Sequence, residues 1–291
     1  MEHLLFYHNL LIMRYRSYYL DKIALITGGG SGIGRGLCIG LANAGSTVIC
    51  TDVDLTKATE TAGMATPGKI IAKQLDVTDL SKFENLAGEI IADFERIDLI
   101  FNNAGIAVSG EMRDIAMDDW KRIIDINFYG VLYGSQIAYL HMLKQGSGQI
   151  VNIASAAGLI DYLALMAPYS VTKHAVVNYT KILRTEAKTL GIKASVVCPG
   201  FISTAIGVNA KAANAKSSWN DEAITLVKKG ITVEKAVEHI LNGVRKDKEI
   251  IIFPFQVKAI LLFTRIFKGL YRKAMQKQLK DFRVKHRINN D

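Results

Sequence analysis

The sequence predicts an α/β fold, in which a single doubly wound domain is built on a mostly or wholly parallel sheet of about seven strands. Short apolar runs alternate with segments of helical spacing along most of the chain. A strand that is apolar throughout is typical of a parallel sheet covered on both faces. The connections between such strands are right-handed crossovers, which place helices on both sides of the sheet.

The candidate strands follow one another between residues 22 and 254. In chain order they are residues 22–27, 47–52, 70–77, 97–105, 148–158, 193–200 and 249–254. Helical spacing is clearest over residues 81–94, 117–143 and 168–191, and we expect Gly191 to cap the last of these helices. The chain has four prolines and no Ser/Gly-rich run, so no interdomain linker is expected.

The net charge of +9 is concentrated at one end of the chain. Residues 245–291 carry 13 Lys and Arg against 4 Asp and Glu, so the whole excess lies there. A basic groove across the fold is therefore not expected, and neither is a nucleic-acid partner. We divide the chain into an N-terminal extension (1–21), a central domain (22–254) and a basic amphipathic tail (255–291).

The cysteines and the N-terminal extension bear on the cellular setting. Cys38, Cys50 and Cys198 are far apart and lie in apolar surroundings, which indicates free buried thiols, no metal site and a reducing, cytoplasmic setting. Residues 4–13 are apolar apart from His8 and Asn9, with no Lys or Arg before them and no small-residue cleavage site after them, so a secretory signal is not expected. The extension could be a docking arm, a membrane-contacting arm or a consequence of a start at Met13.

A glycine-rich stretch, ALITGGGSGIGRG, occupies residues 24–36 between the first strand and the first helix. Glycine loses more conformational entropy on folding than any other residue, so such a cluster indicates a backbone that needs room. The free N–H groups of a helix N-terminus form a site for a pyrophosphate. The motif therefore predicts a dinucleotide on a Rossmann-type fold, although an empty structural turn is the alternative.

Asp52 ends the second strand, where a carboxylate can accept hydrogen bonds from both ribose hydroxyls of an adenosine. It would repel a 2′-phosphate, and the next residue is Val53 rather than an arginine. NAD is therefore preferred to NADP, which is less consistent with these residues. A solvated aspartate at a strand end is the alternative interpretation.

These residues belong to a larger set of motifs in order. The chain carries TGxxxGxG at 27–34, Asp76-Val77, NNAG at 102–105, a helical Asn127, Ser155 at a strand end, YxxxK at 169–173 and PGxxxT at 199–204. In this order and spacing they resemble the classical short-chain dehydrogenase/reductase family over residues 22–254. The resemblance implies an NAD-dependent oxidoreductase that acts on an alcohol or ketone and forms homo-oligomers, dimers or tetramers, through its long helices.

The resemblance also implies roles for single residues. Asn127, Ser155, Tyr169 and Lys173 would be catalytic. The cofactor would contact Gly28, Ser31, Gly32, Ile33, Gly34, Asp52, Asp76, Val77, Asn103, Ala104, Gly105, Tyr169, Lys173, Pro199, Gly200, Ile202 and Thr204.

The spacing of Tyr169 and Lys173 places them one turn apart on the same helix face. A nearby ammonium favours the phenolate, so we expect Lys173 to lower the pKa of Tyr169 from about 10 and make it a general acid and base. Ser155 would position the substrate oxygen. The resemblance implies that Asn127 supports a proton path from the lysine. Taken singly, each residue has an ordinary structural explanation in packing, a turn or a backbone hydrogen bond.

The substrate is less defined than the reaction. Residues 156–168 and 201–220 are the expected pocket walls, and the first is largely apolar with no arginine in either. This favours an apolar secondary alcohol or ketone over a free acid. Ordinary packing of the loop is the alternative explanation of the apolar residues. A sterol-, retinoid- or lipid-type dehydrogenase at a membrane surface and a non-catalytic NAD-binding sensor are the alternatives.

The tail carries an unusual pattern over residues 257–275. Treated as one helix, it places Ile260, Phe263, Ile266, Phe267, Leu270, Tyr271 and Ala274 on one side and four basic residues on the other. A basic amphipathic helix of this kind is typical of a membrane interface. Packing of the apolar side against the domain or a second subunit is the alternative.

Overall fold

The computed structural model describes residues 16–64, 69–204, 206–207 and 210–288. The apolar run predicted at residues 4–13 lies outside these ranges. Within them the strands are β1 (Ile23–Thr27), β2 (Thr47–Asp52), β3 (Lys69–Gln74), β4 (Leu99–Asn102), β5 (Val108–Ser109), β6 (Gly148–Ile153), β7 (Ile192–Pro199), β8 (Lys211–Ala212) and β9 (Ile250–Phe253). The helices are α1 (Gly32–Asn43), α2 (Leu55–Ala62), α3 (Leu80–Phe94), α4 (Met117–Ile124), α5 (Gly130–Gln145), α6 (Ala167–Ala187), α7 (Ser217–Lys228), α8 (Val233–Arg245), α9 (Phe255–Ile266) and α10 (Lys268–Lys285).

The main sheet is parallel throughout, as the continuous apolar strands predict. Among the described residues it has seven strands in the order β3-β2-β1-β4-β6-β7-β9. The chain moves outward from β1 to β3 and then returns to the other side of β1 with β4, so the strand order reverses between β1 and β4. Ligands of doubly wound folds bind at this reversal, beyond the carboxyl ends of the strands.

Helices cover both faces of the sheet and form its two main apolar cores. On one face, α1 and α8 bury side chains such as Leu37, Leu41 and Ile240 against the sheet. On the other face, α3, α5 and α6 bury side chains such as Phe83 and Met142. Within the described ranges, no helix is both long enough and apolar enough to cross a bilayer.

Several strands are shorter than the sequence predicts. Residues 75–77, 103–105 and 154–158 were expected as strand, but they lie in loops and a short 3-10 turn beyond β3, β4 and β6. Most of these residues are small or apolar, so their composition resembles that of a buried strand although their backbone leaves the sheet. The candidate site residues among them therefore lie in loops that face a common edge.

The helix predicted over residues 117–143 is interrupted near its middle. α4 ends at Ile124, a π-helical turn spans Asp125–Tyr129, and α5 begins at Gly130. A π-helical turn inside an α-helix inserts a residue, rotates the side chains that follow, and is frequent at functional sites. Asn127 lies in this turn and is fully buried.

The prediction of one continuous helix over residues 257–275 is wrong. The chain breaks at Phe267, which has φ −106° and ψ 46°, and this separates α9 from α10. Gly269 follows in the first turn of α10, and glycine is among the weakest helix formers. The predicted apolar face is also not the buried one, since Val257 and Leu261 are buried and Ile266 is exposed.

The last described residues of the N-terminal extension pack into the domain. Tyr19 is fully buried in the core cluster beside α8, and its hydroxyl donates to the Leu241 carbonyl at 2.7 Å. The Ser46 hydroxyl donates to the Tyr19 carbonyl at 2.6 Å. Tyr19 thus ties the segment before β1 to two other parts of the chain.

We expect Tyr19→Ala to lower the free energy of unfolding by about 3 kcal/mol or more, because it opens a cavity in the core and removes a buried hydrogen bond. Leu20→Ala, at the neighbouring exposed position, should cost less than about 1 kcal/mol. Urea unfolding followed by circular dichroism measures both. Equal losses for the two variants would contradict the assignment of Tyr19 to the core.

Candidate active site

The glycine turn between β1 and α1 is closed by contacts that leave no room for side chains. Gly28 has φ +64° and Gly32 has φ +52°, the left-handed region that glycine adopts without strain. A Cβ on Gly34 would lie 2.1 Å from the Gly28 carbonyl oxygen. Ser31 is exposed at the start of α1, and Ile33 is half-buried in its first turn. The turn therefore presents backbone rather than side chains at the helix N-terminus, as a phosphate site requires.

The hydroxyl of Thr27 joins this turn to the loop after β4. It accepts hydrogen bonds from the backbone amides of Asn103 at 2.9 Å and Ala104 at 3.0 Å. The Asn103 carboxamide donates in return to the carbonyls of Thr27 at 2.9 Å and Gly28 at 3.1 Å. Sequence reasoning missed this role of Thr27, although the residue opens the TGxxxGxG motif.

Asp52 ends β2 beside the glycine turn, as the sequence predicts. One carboxylate oxygen accepts from the Gly30 amide at 3.0 Å, and the other accepts from the Asp54 amide at 3.1 Å. A carboxylate offers about four lone-pair directions, so both oxygens can accept further hydrogen bonds. The nearby Arg35 guanidinium donates to the Gly30 carbonyl and pairs with Glu60 at 3.1 Å.

Asp76 and Val77 lie farther out, in the loop between β3 and α3. The Asp76 carboxylate accepts from the Thr78 amide at 3.0 Å and from its hydroxyl at 2.8 Å. Val77 is buried and packs closely against Gly130 at the start of α5. These two residues lie on the β3 side of the reversal, at one end of the candidate cofactor site.

The loop after β7 borders the other end. Gly200 donates its amide to the Phe253 carbonyl at 2.8 Å, which holds the loop to β9, and Pro199 ends β7. Ile202 forms an isolated bridge with Ile231. A Cβ on Gly32 would lie 3.3 Å from the Thr204 methyl group, so Thr204 reaches back to the glycine turn. The structure thus brings Ile202 and Thr204 beside the first helix, while Pro199 and Gly200 remain at the ends of β7 and β9.

Asn127, in the π-helical turn before α5, hydrogen-bonds to the loop after β4 and to α6 near the middle of the carboxyl edge of the sheet. Its side-chain oxygen accepts from the Ile106 amide at 2.8 Å, and its nitrogen donates to the Ile106 carbonyl at 2.9 Å. The same nitrogen donates to the Thr172 hydroxyl on α6 at 3.3 Å. A Cβ on Gly105 would lie 3.2 Å from the Asn127 oxygen and 3.5 Å from Lys173 Nζ. Asn127 and Lys173 therefore meet beside the loop after β4.

Ser155, Tyr169 and Lys173 come together on the same edge. The Ser155 side chain lies beside the Tyr169 phenol, close enough to act on its pKa, and it accepts from the Ala157 amide at 3.1 Å. Lys173 is buried, its Nζ donates to the Ile153 carbonyl at 2.9 Å, and it lies 5.7 Å from the centroid of the Tyr169 ring. The predicted catalytic residues thus form one cluster.

The phenol and the ammonium are both desolvated. Burial raises the pKa of Tyr169 above 10.0, while the neighbouring Ser155 side chain acts in the opposite direction. Burial lowers the pKa of Lys173 from 10.5 to about 8, because desolvation disfavours the charged form of the amine. Burial also raises the pKa of the nearby Cys198 thiol to about 12.

The expectation that Lys173 lowers the pKa of Tyr169 is not met in this structure, where burial dominates and the shift is upward. The sequence shows the helical spacing of the two residues but not how deeply they are buried. Nor does it show that the ammonium is directed at the Ile153 carbonyl.

The surroundings of Tyr169 are apolar. Its ring packs against a cluster that includes Val108, Ile115, Ile123 and Ala213. The short pairing of β5 with β8 fixes the loop that carries Ala213 beside this cluster. The apolar wall predicted over residues 156–168 extends it, and the Gly110 amide donates to the Leu165 carbonyl at 2.8 Å.

The sequence does not predict the ion pairs that connect the segment after β5 with the end of the chain. Glu111 is buried and receives two hydrogen bonds from Arg283 on α10, at 3.0 and 2.8 Å. These bonds hold the pKa of the Glu111 carboxyl below its usual value. Arg287 pairs with Asp114 at 3.0 Å. The partners are more than 170 residues apart in sequence, so no local pattern indicates them.

The chain resembles known oxidoreductases along most of its length. Residues 22–215 match the family model described as short chain dehydrogenase. A Mycobacterium tuberculosis protein named as an oxidoreductase, SadH, is 32% identical over 268 residues, which are 89% of this chain and 95% of the relative. A short-chain dehydrogenase/reductase from Burkholderia phymatum, solved in complex with NAD, has a TM-score of 0.81 at 26% identity, covering 87% of this chain and 96% of the other.

A second solved structure carries the other dinucleotide. A Beutenbergia cavernae protein described as an NAD(P)-dependent gluconate 5-dehydrogenase, with NADP bound at low occupancy, has a TM-score of 0.69 at 27% identity. The match covers 80% of this chain and 95% of that one. The two similar structures thus hold different cofactors.

We expect Lys173→Met to abolish turnover and yet raise the melting temperature of the protein at neutral pH. The folded state holds the ammonium at a pKa of about 8 against 10.5 for an ordinary lysine, so at neutral pH folding buries a charge that methionine lacks. Between about pH 8 and 10.5 the unfolded wild type binds more protons at Lys173 than the folded protein does, so the Lys173 contribution to stability rises with pH. The difference in melting temperature between Lys173→Met and wild type should therefore shrink over this range.

Thermal unfolding at several pH values measures this difference. Lys144→Met, at an exposed position on α5, is the matched control and should show no such pH dependence. A Lys173→Met protein that melts below wild type at every pH would show that the hydrogen bond to Ile153 outweighs the cost of the buried charge.

Proposed function

Because this chain belongs to the short-chain dehydrogenase/reductase family, we propose that it is an NAD(H)-dependent enzyme that interconverts an apolar secondary alcohol and its ketone. The observation that carries the proposal is the cluster in which Ser155 lies beside the Tyr169 phenol and the buried Lys173 Nζ lies 5.7 Å from the centroid of the Tyr169 ring. This cluster lies at the carboxyl edge of the sheet, where the glycine turn also opens.

The residues present fit a dinucleotide. The turn at Gly28 and Gly34 excludes side chains, and the glycine at 105 leaves space in front of Asn127 and Lys173. The helix N-terminus of α1 would hold the pyrophosphate, the loop after β4 would border the adenosine half, and the loop after β7 would hold the nicotinamide half. When bound, the nicotinamide supplies a hydride acceptor or donor.

NAD is the preferred cofactor because Asp52 stands where the adenosine ribose would bind. Its carboxylate would accept ribose hydroxyls and repel a 2′-phosphate. Two cations lie beside the turn: Arg35 is engaged with Glu60 and the Gly30 carbonyl, and Lys57 is paired with Asp54. With acidic partners already in place, these two side chains offer little to neutralise a 2′-phosphate.

Tyr169 would exchange a proton with the substrate oxygen. Burial keeps its phenol protonated at neutral pH, which suits donation to a ketone, whereas alcohol oxidation needs the phenolate. Ser155 would hold the same oxygen through a hydrogen bond. Lys173 would stabilise the phenolate when it forms, and Asn127 positions the backbone of Ile106 and the helix that carries Tyr169.

The apolar cluster around Tyr169 supports an apolar substrate. We also propose a homo-oligomer, because the long helices that pair in this family expose large apolar residues, among them Leu140 on α5 and Ile182 on α6. A non-catalytic NAD sensor is the second candidate, but it would have no use for a serine beside the Tyr169 phenol and the buried Lys173. Three buried free thiols fit a cytoplasmic setting.

We expect Tyr169→Phe to reduce the formation of NADH from apolar secondary alcohols by about 10²–10⁴-fold, because it removes the general base. Wild-type oxidation should accelerate as the pH rises from neutral towards 10.0, since more of the buried phenol ionises. Absorbance at 340 nm measures both. Tyr139→Phe on α5 makes the same change away from the site and should retain activity.

NAD binding should persist in Tyr169→Phe, so loss of turnover cannot be attributed to loss of cofactor. Turnover in Tyr169→Phe equal to wild type would refute the role of the phenol. If the wild type binds NAD and turns over none of a broad panel of alcohols and ketones, the sensor becomes the better account.

We expect Asp52→Ala to relax the preference for NAD over NADP by about tenfold or more, because it removes a charged hydrogen-bond acceptor and a repulsive charge. Isothermal titration with both dinucleotides gives the ratio of affinities. Asp54→Ala, two residues farther on, should preserve the ratio. An unchanged ratio in Asp52→Ala would place cofactor selection elsewhere.

A further inference from the structure

Helix α9 has an apolar face on the side that points away from the domain. Val257, Leu261 and Thr264, spaced by four and three residues, are buried. Phe255, Leu262 and Ile266, spaced by seven and four, lie on the opposite side of the helix and are 78%, 60% and 62% exposed. A surface helix normally carries polar residues there, so this outer face is not explained by the core.

The apolar surface continues beyond the break between α9 and α10. Phe263 on α9, Phe267 at the break and Leu270 in the first turn of α10 are also exposed, and the rings of Phe263 and Phe267 lie 5.3 Å apart. We call this set, with Phe255, Leu262 and Ile266, the outer apolar patch. Contiguous exposed apolar patches of this kind mark interaction surfaces.

Basic residues accompany the outer apolar patch. Residues 255–280 contain seven Lys and Arg and no Asp or Glu. Lys258, Arg265 and Lys268 are exposed on the same helices as the patch. A partner must therefore accept apolar side chains and bring negative charge.

We propose that the outer apolar patch and its flanking basic residues bind the surface of an anionic lipid membrane. The apolar side chains would enter the acyl boundary while the lysines and arginines contact acidic headgroups. A second copy of the chain is a poorer fit, because a two-fold interface would face this patch with itself. It would then bring Lys258, Arg265 and Lys268 of both copies together with no acidic residue of the segment between them.

The fold holds the patch in place from both ends. The buried side of α9 packs through Val257 and Leu261 on Ala156, next to Ser155. At the far end of α10, Arg283 makes two hydrogen bonds to the buried Glu111. The patch is thus part of a supported surface rather than a loose tail, so binding would not require the helices to order first.

The patch also lies close to the candidate pocket. Ile160 and Leu159, in the apolar wall after Ser155, pack against the same cluster as Val257 and Leu261. The Arg272 guanidinium lies 5.0 Å from the centroid of the Tyr162 ring in that wall. If the proposed dehydrogenase function holds, which this step assumes, its substrate would be an alcohol or ketone of the lipid phase that enters from the bound membrane.

Vesicle binding of the full chain tests the proposal. We expect sedimentation with vesicles of phosphatidylcholine and phosphatidylglycerol, and binding on the order of tenfold or more weaker to phosphatidylcholine alone. The double variant Leu262→Glu/Ile266→Glu should lose binding to both. Lys258→Gln/Lys268→Gln should weaken binding to the anionic vesicles most.

Leu190→Glu is the matched control. Leu190 is 49% exposed in the short turn before β7, at the amino end of the sheet and therefore opposite α9. The same change of leucine to glutamate there should leave vesicle binding at the wild-type level. NAD affinity is measured for every variant to show that the domain remains folded. A variant that loses vesicle binding and retains NAD binding tests the membrane proposal separately from the proposed enzymatic function.

Wild-type protein that binds neither kind of vesicle would overturn the proposal, as would Leu262→Glu/Ile266→Glu protein that binds as well as wild type. Light scattering on the same proteins without vesicles shows whether a second copy of the chain covers the patch instead. A wild-type assembly that falls apart in Leu262→Glu/Ile266→Glu, without vesicle binding by the wild type, would assign the patch to an interface between copies.

Discussion

A single buried hydroxyl, that of Thr27, fixes the two loops between which the candidate cofactor site opens. It accepts the amides of Asn103 and Ala104, and the Asn103 carboxamide returns two hydrogen bonds to the glycine turn. β1 and β4 are neighbours at the point where the strand order reverses. Without this joint, the glycine turn and the loop that presents Gly105 could move apart.

The reacting groups depend on close packing behind that joint. A Cβ on Gly158 would lie 2.6 Å from the Lys173 carbonyl oxygen, so α6 approaches the loop after β6 without side chains between them. This approach buries Lys173 and brings the Tyr169 phenol to Ser155. The same burial makes the ammonium costly to hold at neutral pH. We therefore interpret the burial of Lys173 as a cost in folding stability that accompanies the close placement of the Ser155, Tyr169 and Lys173 side chains.

The sequence sufficed wherever the relevant signal was local. Continuous apolar strands predicted the parallel sheet, and the order of motifs predicted which residues would share its edge. Signals that depend on tertiary structure were missed. The direction of the pKa shift of Tyr169 follows from burial. The π-helical turn at Asp125–Tyr129 rotates Asn127 within an otherwise helical pattern. Glu111 binds Arg283, which lies 172 residues farther along the chain. The prediction of one apolar face over residues 257–275 was wrong because it assumed a single helix axis, whereas the helix breaks at Phe267.

The central claim is that the cluster of Ser155, Tyr169 and Lys173 serves a direct hydride transfer between a substrate carbinol carbon and NAD. Mass spectrometry of NADH formed from a secondary alcohol deuterated at that carbon tests it most directly. Our account predicts NADH that carries the deuterium, with none acquired from the solvent. Unlabelled NADH, or bound NAD that is never reduced by any alcohol of the panel, would contradict it.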